Sequence, residues 1–146
     1  MYKILLATDG SPHSKVVIDK ALAIAGALDA EVTILTVVRE YVFSPRVNVQ
    51  FTEENWTAIR EQLEEEANEI IAEAAKPFKD QGLTTHTEIV VSHKSPADVI
   101  CEKAREGNFE LTILGSSGKT GIQEMFLGSV SNKVAHMNCS DVLIVK

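Results

Sequence analysis

Five short apolar runs alternate with four amphipathic stretches along this chain, and no other feature narrows its fold so far. The runs are Lys3 to Thr8, Glu31 to Val38, Thr84 to Val91, Phe109 to Leu114 and Asp141 to Val145. Their β-branched and apolar character reads as strands buried on both faces. Between the first two, Val17, Ala21, Ile24 and Leu28 recur at helical spacing, with Ile18, Leu22 and Ala25 widening the stripe. Ser11 is the expected N-cap of that helix, with Pro12 as its first residue. A long second helix runs from Thr52 to the stop at Gly82, with Trp56, Ile59, Leu63, Ala67, Ile70, Ala74 and Phe78 stepping by three or four. Ser95-Pro96 starts the third helix, which turns Ala97, Ile100, Cys101 and Ala104 inward and closes at Gly107. Ser129 is the expected cap of the fourth, with Val130, Val134 and Met137 as its stripe.

The order βαβαβαβαβ predicts a parallel sheet with helices on both faces. No repeat or linker interrupts it, so residues 1–146 form one domain. Five strands suit either the flavodoxin-like order or its relative 3-2-1-4-5. Ligands of such sheets bind beyond the carboxyl ends of the strands, where the strand order reverses. In the 3-2-1-4-5 order that point lies between strand one, ending at Thr8-Asp9, and strand four, ending at Gly115.

A glycine pattern stands at the same place. Gly115-Ser116-Ser117-Gly118 follows strand four, and after nine more residues Gly128-Ser129 opens the last helix. Glycines let backbone approach an anion closely, and a helix start offers unpaired N–H groups and positive dipole. Gly118-Lys119-Thr120 resembles the end of a Walker A loop. The glycine required five positions before Gly118 is Ile113, however, and no G-x-G-x-x-G fingerprint exists. Asp9 lies across the predicted crevice; its alternative role is a side-chain turn cap ahead of Gly10-Ser11.

Composition removes several classes of function. A net charge of −7 argues against wrapping a nucleic acid backbone. Much of the acid lies between Glu61 and Glu73, the solvated face of a helix, so a polyanionic ligand would need N–H groups, Lys119 or a metal ion. Cys101 and Cys139 lack metal-ligand spacing and read as small core residues rather than reactive thiols. The four histidines lie on separate elements. No signal peptide and no apolar run of about 20 residues is evident, so no membrane contact and a cytoplasmic location are expected. Tyr41 to Phe51, with three aromatics and Pro45, reads as a surface loop, either a contact surface or a lid, or one whose aromatics pack on the domain.

Over its entire length the chain resembles universal stress proteins. The resemblance rests on K-I-L-L-A-T-D-G-S at the start, G-S-S-G-K-T-G-I, F-L-G-S-V-S-N-K-V and the ending S-D-V-L-I-V-K. The spacing G-x2-G-x9-G-[ST] is similar to the mark of the family's ATP-binding branch. That resemblance implies a Rossmann-like α/β fold with strand order 3-2-1-4-5 and ATP as cofactor. By the same resemblance Gly115, Gly118, Gly128 and Ser129 would line the phosphates and ribose, with the N–H of Val130 and the hydroxyl of Ser131 close by. Asp9 would sit near the ribose or phosphates and help to hold Mg²⁺; Ala7 and Thr8 would shape the floor, and Val37 would touch adenine. Many relatives carry proline where this chain has Ala7, a departure confined to local backbone shape.

The expected function is therefore regulatory ATP binding in a stress response, with at most slow hydrolysis because no general base is evident. The alternatives are an ATP hydrolase or adenylyl transferase of related fold, or a partner-binding protein with a vestigial pocket. Unidentified protein partners are expected in the first and last cases. A homodimer is also expected. The edge strand Val142-Leu143-Ile144-Val145 carries no charge or proline to prevent pairing with a second copy.

Overall fold

The run Ile4-Leu5-Leu6 has no polar face, and the fold puts it where none is required: all three side chains are 0% exposed. They belong to β1 (Lys3–Ala7), the middle strand of a five-stranded, all-parallel sheet. β2 (Glu31–Arg39) and β4 (Leu111–Gly115) flank it, with β3 (Thr85–Ser92) outside β2 and β5 (Asp141–Val145) outside β4. The order is 3-2-1-4-5, as expected. The computed structural model describes residues 1–40, 53–116 and 128–146. The loop from Tyr41 to Phe51 lies outside the described residues, as do Gly118 and Lys119.

Alternation along β1 divides the core. Ile4 and Leu6 join one cluster with Val17, Ala21 and Ala25 of α1 (Ser14–Leu28) and Ile71, Ala74 and Phe78 of α2 (Glu53–Asp80). Leu5 joins the other, with Ile100, Cys101 and Ala104 of α3 (Pro96–Glu106) and Val134 of α4 (Ser129–His136). Each fully buried Leu, Ile or Phe contributes about 1.5–3 kcal/mol.

Two helix starts differ from the sequence reading. α1 begins at Ser14, not Pro12, and His13 rather than Ser11 holds the N-cap position, without a side-chain capping bond. Asp9 Oδ1 accepts the Ser11 N–H at 2.9 Å, and Gly10 sits at φ +73°. The chain is therefore still turning at Ser11, whose carbonyl accepts the Ser14 N–H at 3.0 Å. At α4 the cap is Gly128, and Ser129 is already helical. Gly128 binds backward through its N–H to the Ser116 carbonyl (2.7 Å) and forward through its own carbonyl to the Asn132 N–H (2.9 Å). α3 starts as read: Ser95 Oγ accepts the Asp98 N–H at 3.3 Å and Pro96 occupies the first turn. α2 contains Pro77 and runs on through Phe78, 0% exposed; Gly82, at φ +74°, follows its end.

The cysteines correct a further expectation. Cys101 is buried as read, but it is bonded to Cys139 rather than packed as an independent core thiol. The two lie 38 residues apart in sequence, yet α3 packing beside α4 brings their Cα atoms to 5.3 Å. Among the described residues no helix is long and apolar enough to cross a membrane.

Candidate functional site

The sheet opens at the carboxyl ends of β1 and β4. Thr8 N–H still bonds to the Leu35 carbonyl at 3.0 Å, so β1 follows β2 to the end. Ser116 N–H bonds to the Val145 carbonyl at 2.9 Å, so β4 leaves toward β5. The two chains diverge, and a cleft of about 420 Å³ lies beyond them.

Residues singled out in the sequence meet there. The end of β1 contributes Ala7, Thr8 and Asp9, the end of β2 Val37, and the end of β4 Gly115. The start of α4 contributes Gly128, Ser129, Val130 and Ser131. Of the ten residues proposed from the sequence, only Gly118 falls outside the described part of the chain.

Each element has a reason to point as it does. Thr36 Oγ1 donates to the Thr8 carbonyl at 3.1 Å and fixes the floor where β1 ends. Asp9 is turned by its bond to Ser11 N–H, so its turn-capping role is realised and its Oδ1 is engaged. His13 reaches across the cleft wall, with Nε2 2.9 Å from the Val145 carbonyl. At α4 the closeness of Gly128 to Ser116 leaves little room: a Cβ there would lie 3.1 Å from the Ser116 oxygen. Ser131 is 2% exposed and its hydroxyl donates to the Gly128 carbonyl at 3.0 Å, so its side chain secures the helix start. The first N–H groups of α4 have no acceptor within the helix and carry its positive dipole end.

α4 is held against α3. Lys133 Nζ lies 3.0 Å from Asp98 Oδ1 and donates to Ser95 Oγ at 3.1 Å. The Ser95 hydroxyl, and after it Lys133, holds the Asp98 carboxyl below the usual carboxylate range. Arg105 donates to the Met137 carbonyl at 2.8 Å, and the Cys101–Cys139 disulfide closes the same seam.

Thr36, His13, Ser116, Pro96 and Ile100 also line the cleft and escaped the sequence reading. Only Ser116 carried a usable signal, being inside the glycine pattern. The cleft therefore combines an apolar wall (Val37, Leu35, Ile100, Leu114) with backbone N–H groups at the α4 start, the Asp9 carboxylate at the end of β1, and Arg39 and Glu66 from β2 and α2. That combination suits a ligand with a flat apolar part and an anionic part. Among the described residues no group of three or more His, Cys, Asp or Glu could hold a metal alone. A second hollow, of about 360 Å³, lies between the start of α2 and the ends of β2 and β3, and includes Trp56 and Ile59.

The model of the universal stress protein family matches residues 1–146. Universal stress protein YxiE of Bacillus subtilis is 34% identical over 147 residues, covering 99% of this chain and 98% of its own length. The solved structure of MJ0577 superposes with a TM-score of 0.83 at 30% identity, covering 99% of this chain and 94% of that one; MJ0577 comes from Methanocaldococcus jannaschii. A universal stress protein solved in complex with cAMP gives a TM-score of 0.68 at 29% identity, with 99% and 95% covered. This chain belongs to the universal stress protein family.

Proposed function

We propose that the cleft beyond β1 and β4 binds an adenine nucleotide, with ATP as the physiological ligand, and that the protein acts as a regulatory module rather than a fast enzyme. The convergence of an apolar strand-two wall with the glycine-framed start of α4 carries this reading. The cAMP complex of a relative at 29% identity supports it. A volume of about 420 Å³ falls within the usual range for small-molecule sites. Adenine would lie against Val37, and the phosphates would take the N–H groups of Ser129, Val130 and Ser131. Gly115 and Gly118 would let backbone approach them, while Ala7 and Thr8 form the floor.

Asp9 faces this ligand as a carboxylate. It would repel bare phosphates, so it fits best with Mg²⁺ between them. One carboxylate plus phosphate oxygens and water is an ordinary Mg²⁺ set. The Ser11 N–H bond to Oδ1 fixes the orientation of the Asp9 carboxylate, which would hold the ion. We place the protein in the cytoplasm and expect a homodimer through β5, whose Val142, Leu143 and Ile144 are only partly covered at the sheet edge.

The direct test is to denature freshly purified protein and identify released nucleotide by mass and absorbance, then to titrate the emptied protein. Adenine nucleotide should be released, and ATP should bind more tightly than GTP. Asp9→Ala should weaken binding in Mg²⁺ more than binding without metal. Equal ATP and GTP affinities would remove the adenine slot. Sustained turnover above ~1 s⁻¹ would make the protein an enzyme instead.

A further inference from the structure

We infer that the Cys101–Cys139 disulfide is a thiol-exchange site that sets the position of the α4 start at the cleft. α4 is short, eight residues, and only Ser131 and Val134 on it are buried. Val130 and Met137 pack partly buried beside Val134, and the Gly128 N–H ties the helix start to Ser116, so the seam with α3 is what holds its far end. Two of the three ties along that seam are exposed polar contacts, Lys133 to Asp98 and Ser95, and Arg105 to the Met137 carbonyl. An exposed ion pair such as Lys133–Asp98 contributes little. The third tie is covalent, and Cys139 stands three residues beyond His136, where α4 ends. The helix thus has its amino end at the cleft and its carboxyl end beside the disulfide.

The two sulfurs are not equivalent. Cys101 is 0% exposed on α3, whereas Cys139 is partly exposed beyond α4. Cys139 is thus the partner at which an external thiolate would attack. Attack forms a mixed disulfide at Cys139 and releases Cys101 as a thiolate, which takes a proton. The second thiol of a dithiol reductant then attacks the mixed disulfide. Cys139 leaves as the second thiol, and the reductant becomes a disulfide, two electrons and two protons having passed to the protein. The co-reactant class is a small or protein dithiol. Reduction removes the covalent tie while β1, α1 and the sheet keep their own core around Ile4 and Leu6. The consequence for ligand affinity rests on the nucleotide reading above; the consequence for α4 does not.

The test uses the full chain, oxidised and after dithiothreitol, with the thiols counted by alkylation mass shift. Hydrogen exchange is followed in peptides covering 128–140 and in peptides from β1 and α1. Reduction should speed exchange in α4 about tenfold or more while β1 and α1 keep their protection. Affinity for a fluorescent ATP analogue should fall by about fivefold or more in step. Cys139→Ser should show the reduced-state behaviour under both conditions, and Cys101→Ala should match it. Three results would overturn the inference. They are a native disulfide that dithiothreitol does not open, unchanged α4 exchange after alkylation proves reduction, and equal loss of protection in β1 and α1. If neither redox form binds the analogue, the nucleotide reading fails, and the exchange data still decide the thiol site.

Discussion

Replacing Gly128 by alanine adds one methyl group at the mouth of the cleft, and the atoms around it set the effect. Gly128 has φ −59° and ψ 158°, a conformation open to any residue, so backbone strain plays no part. The new Cβ would lie 3.1 Å from the Ser116 carbonyl oxygen, which already accepts the Gly128 N–H at 2.7 Å. A backbone carbonyl held this way cannot swing aside as a side chain can, so the junction between β4 and α4 must open by a few tenths of an ångström. For the fold this is mild overpacking, about 1 kcal/mol, and lowers Tm by roughly 2–4 °C in a domain of this size. For the ligand it is worse. A hydrogen bond to a charged group contributes about 1.5–3 kcal/mol, so one misdirected N–H raises Kd by roughly 10–150-fold. Calorimetric titration with ATP and scanning fluorimetry on one preparation would compare the two losses. Gly26→Ala is the control. Its Cβ meets nothing nearer than Gln81 Oε1 at 3.7 Å, within α1, so it should leave affinity alone and stabilise by ~0.5–1 kcal/mol. A folded Gly128→Ala protein with wild-type ATP affinity would refute the assignment of the α4 start to the phosphates.

Gly10→Ala should destabilise by about 1–3 kcal/mol, read as a lower urea midpoint, because the residue sits at φ +73° and its Cβ would fall 2.6 Å from Ile70 Cγ1; an unchanged midpoint would mean that the Asp9–Ser11 turn is softer than argued. Asp98 has a lowered folded pKa, so its contribution is present in full above about pH 4 and is lost as pH falls from there through the lower folded value. Asp98→Asn should flatten the acid limb of Tm against pH, and a superimposable limb would remove the Ser95–Asp98–Lys133 network from the stability of the seam. Leu143→Lys should turn a homodimer into a monomer of 16.0 kDa by light scattering, whereas a stable wild-type monomer at micromolar concentration would sink the β5 pairing.

Where the sequence told most about the fold, one local pattern had one physical meaning. An unbroken Ile4-Leu5-Leu6, short and closed by Asp9-Gly10, fits a strand covered on both faces, and β1 is that strand. Ser95-Pro96 reads as a helix cap, and α3 starts there. Ser11-Pro12 admits two readings, a helix cap or the end of a turn, and the choice lies with Asp9 and Gly10 before it. The apolar stripe of α2 misled at its start. Ile59 is 37% exposed although it keeps the helical spacing. A helix of 28 residues is roughly 42 Å long, and the nine-residue β2 beside it only about 30 Å. Periodicity reports which face a helix would bury, while the length of the sheet decides how much of that face finds a partner.

The candidate site was legible for a different reason: topology concentrates it. In a 3-2-1-4-5 sheet the carboxyl ends of β1 and β4 must diverge, so any residue placed just after either strand reaches the same cleft. Asp9 and Gly115 could therefore be paired from 106 positions apart in the chain without any contact signal. Thr36 and His13 could not, because each serves the cleft through a bond to a backbone carbonyl, of Thr8 and of Val145, that no side-chain pattern encodes. The disulfide is the limiting case. Cys101 lies on a stripe that already accounts for it as core, and Cys139 lies in a turn. Their meeting requires α3 and α4 to pack side by side on one face of the sheet, which follows from where two separate crossovers run rather than from either segment. The same packing carries the Lys133–Asp98 contact and aims the α4 start at the cleft. A change at this seam can therefore act on the cleft from about one short helix away, while the strands that define the cleft remain in place.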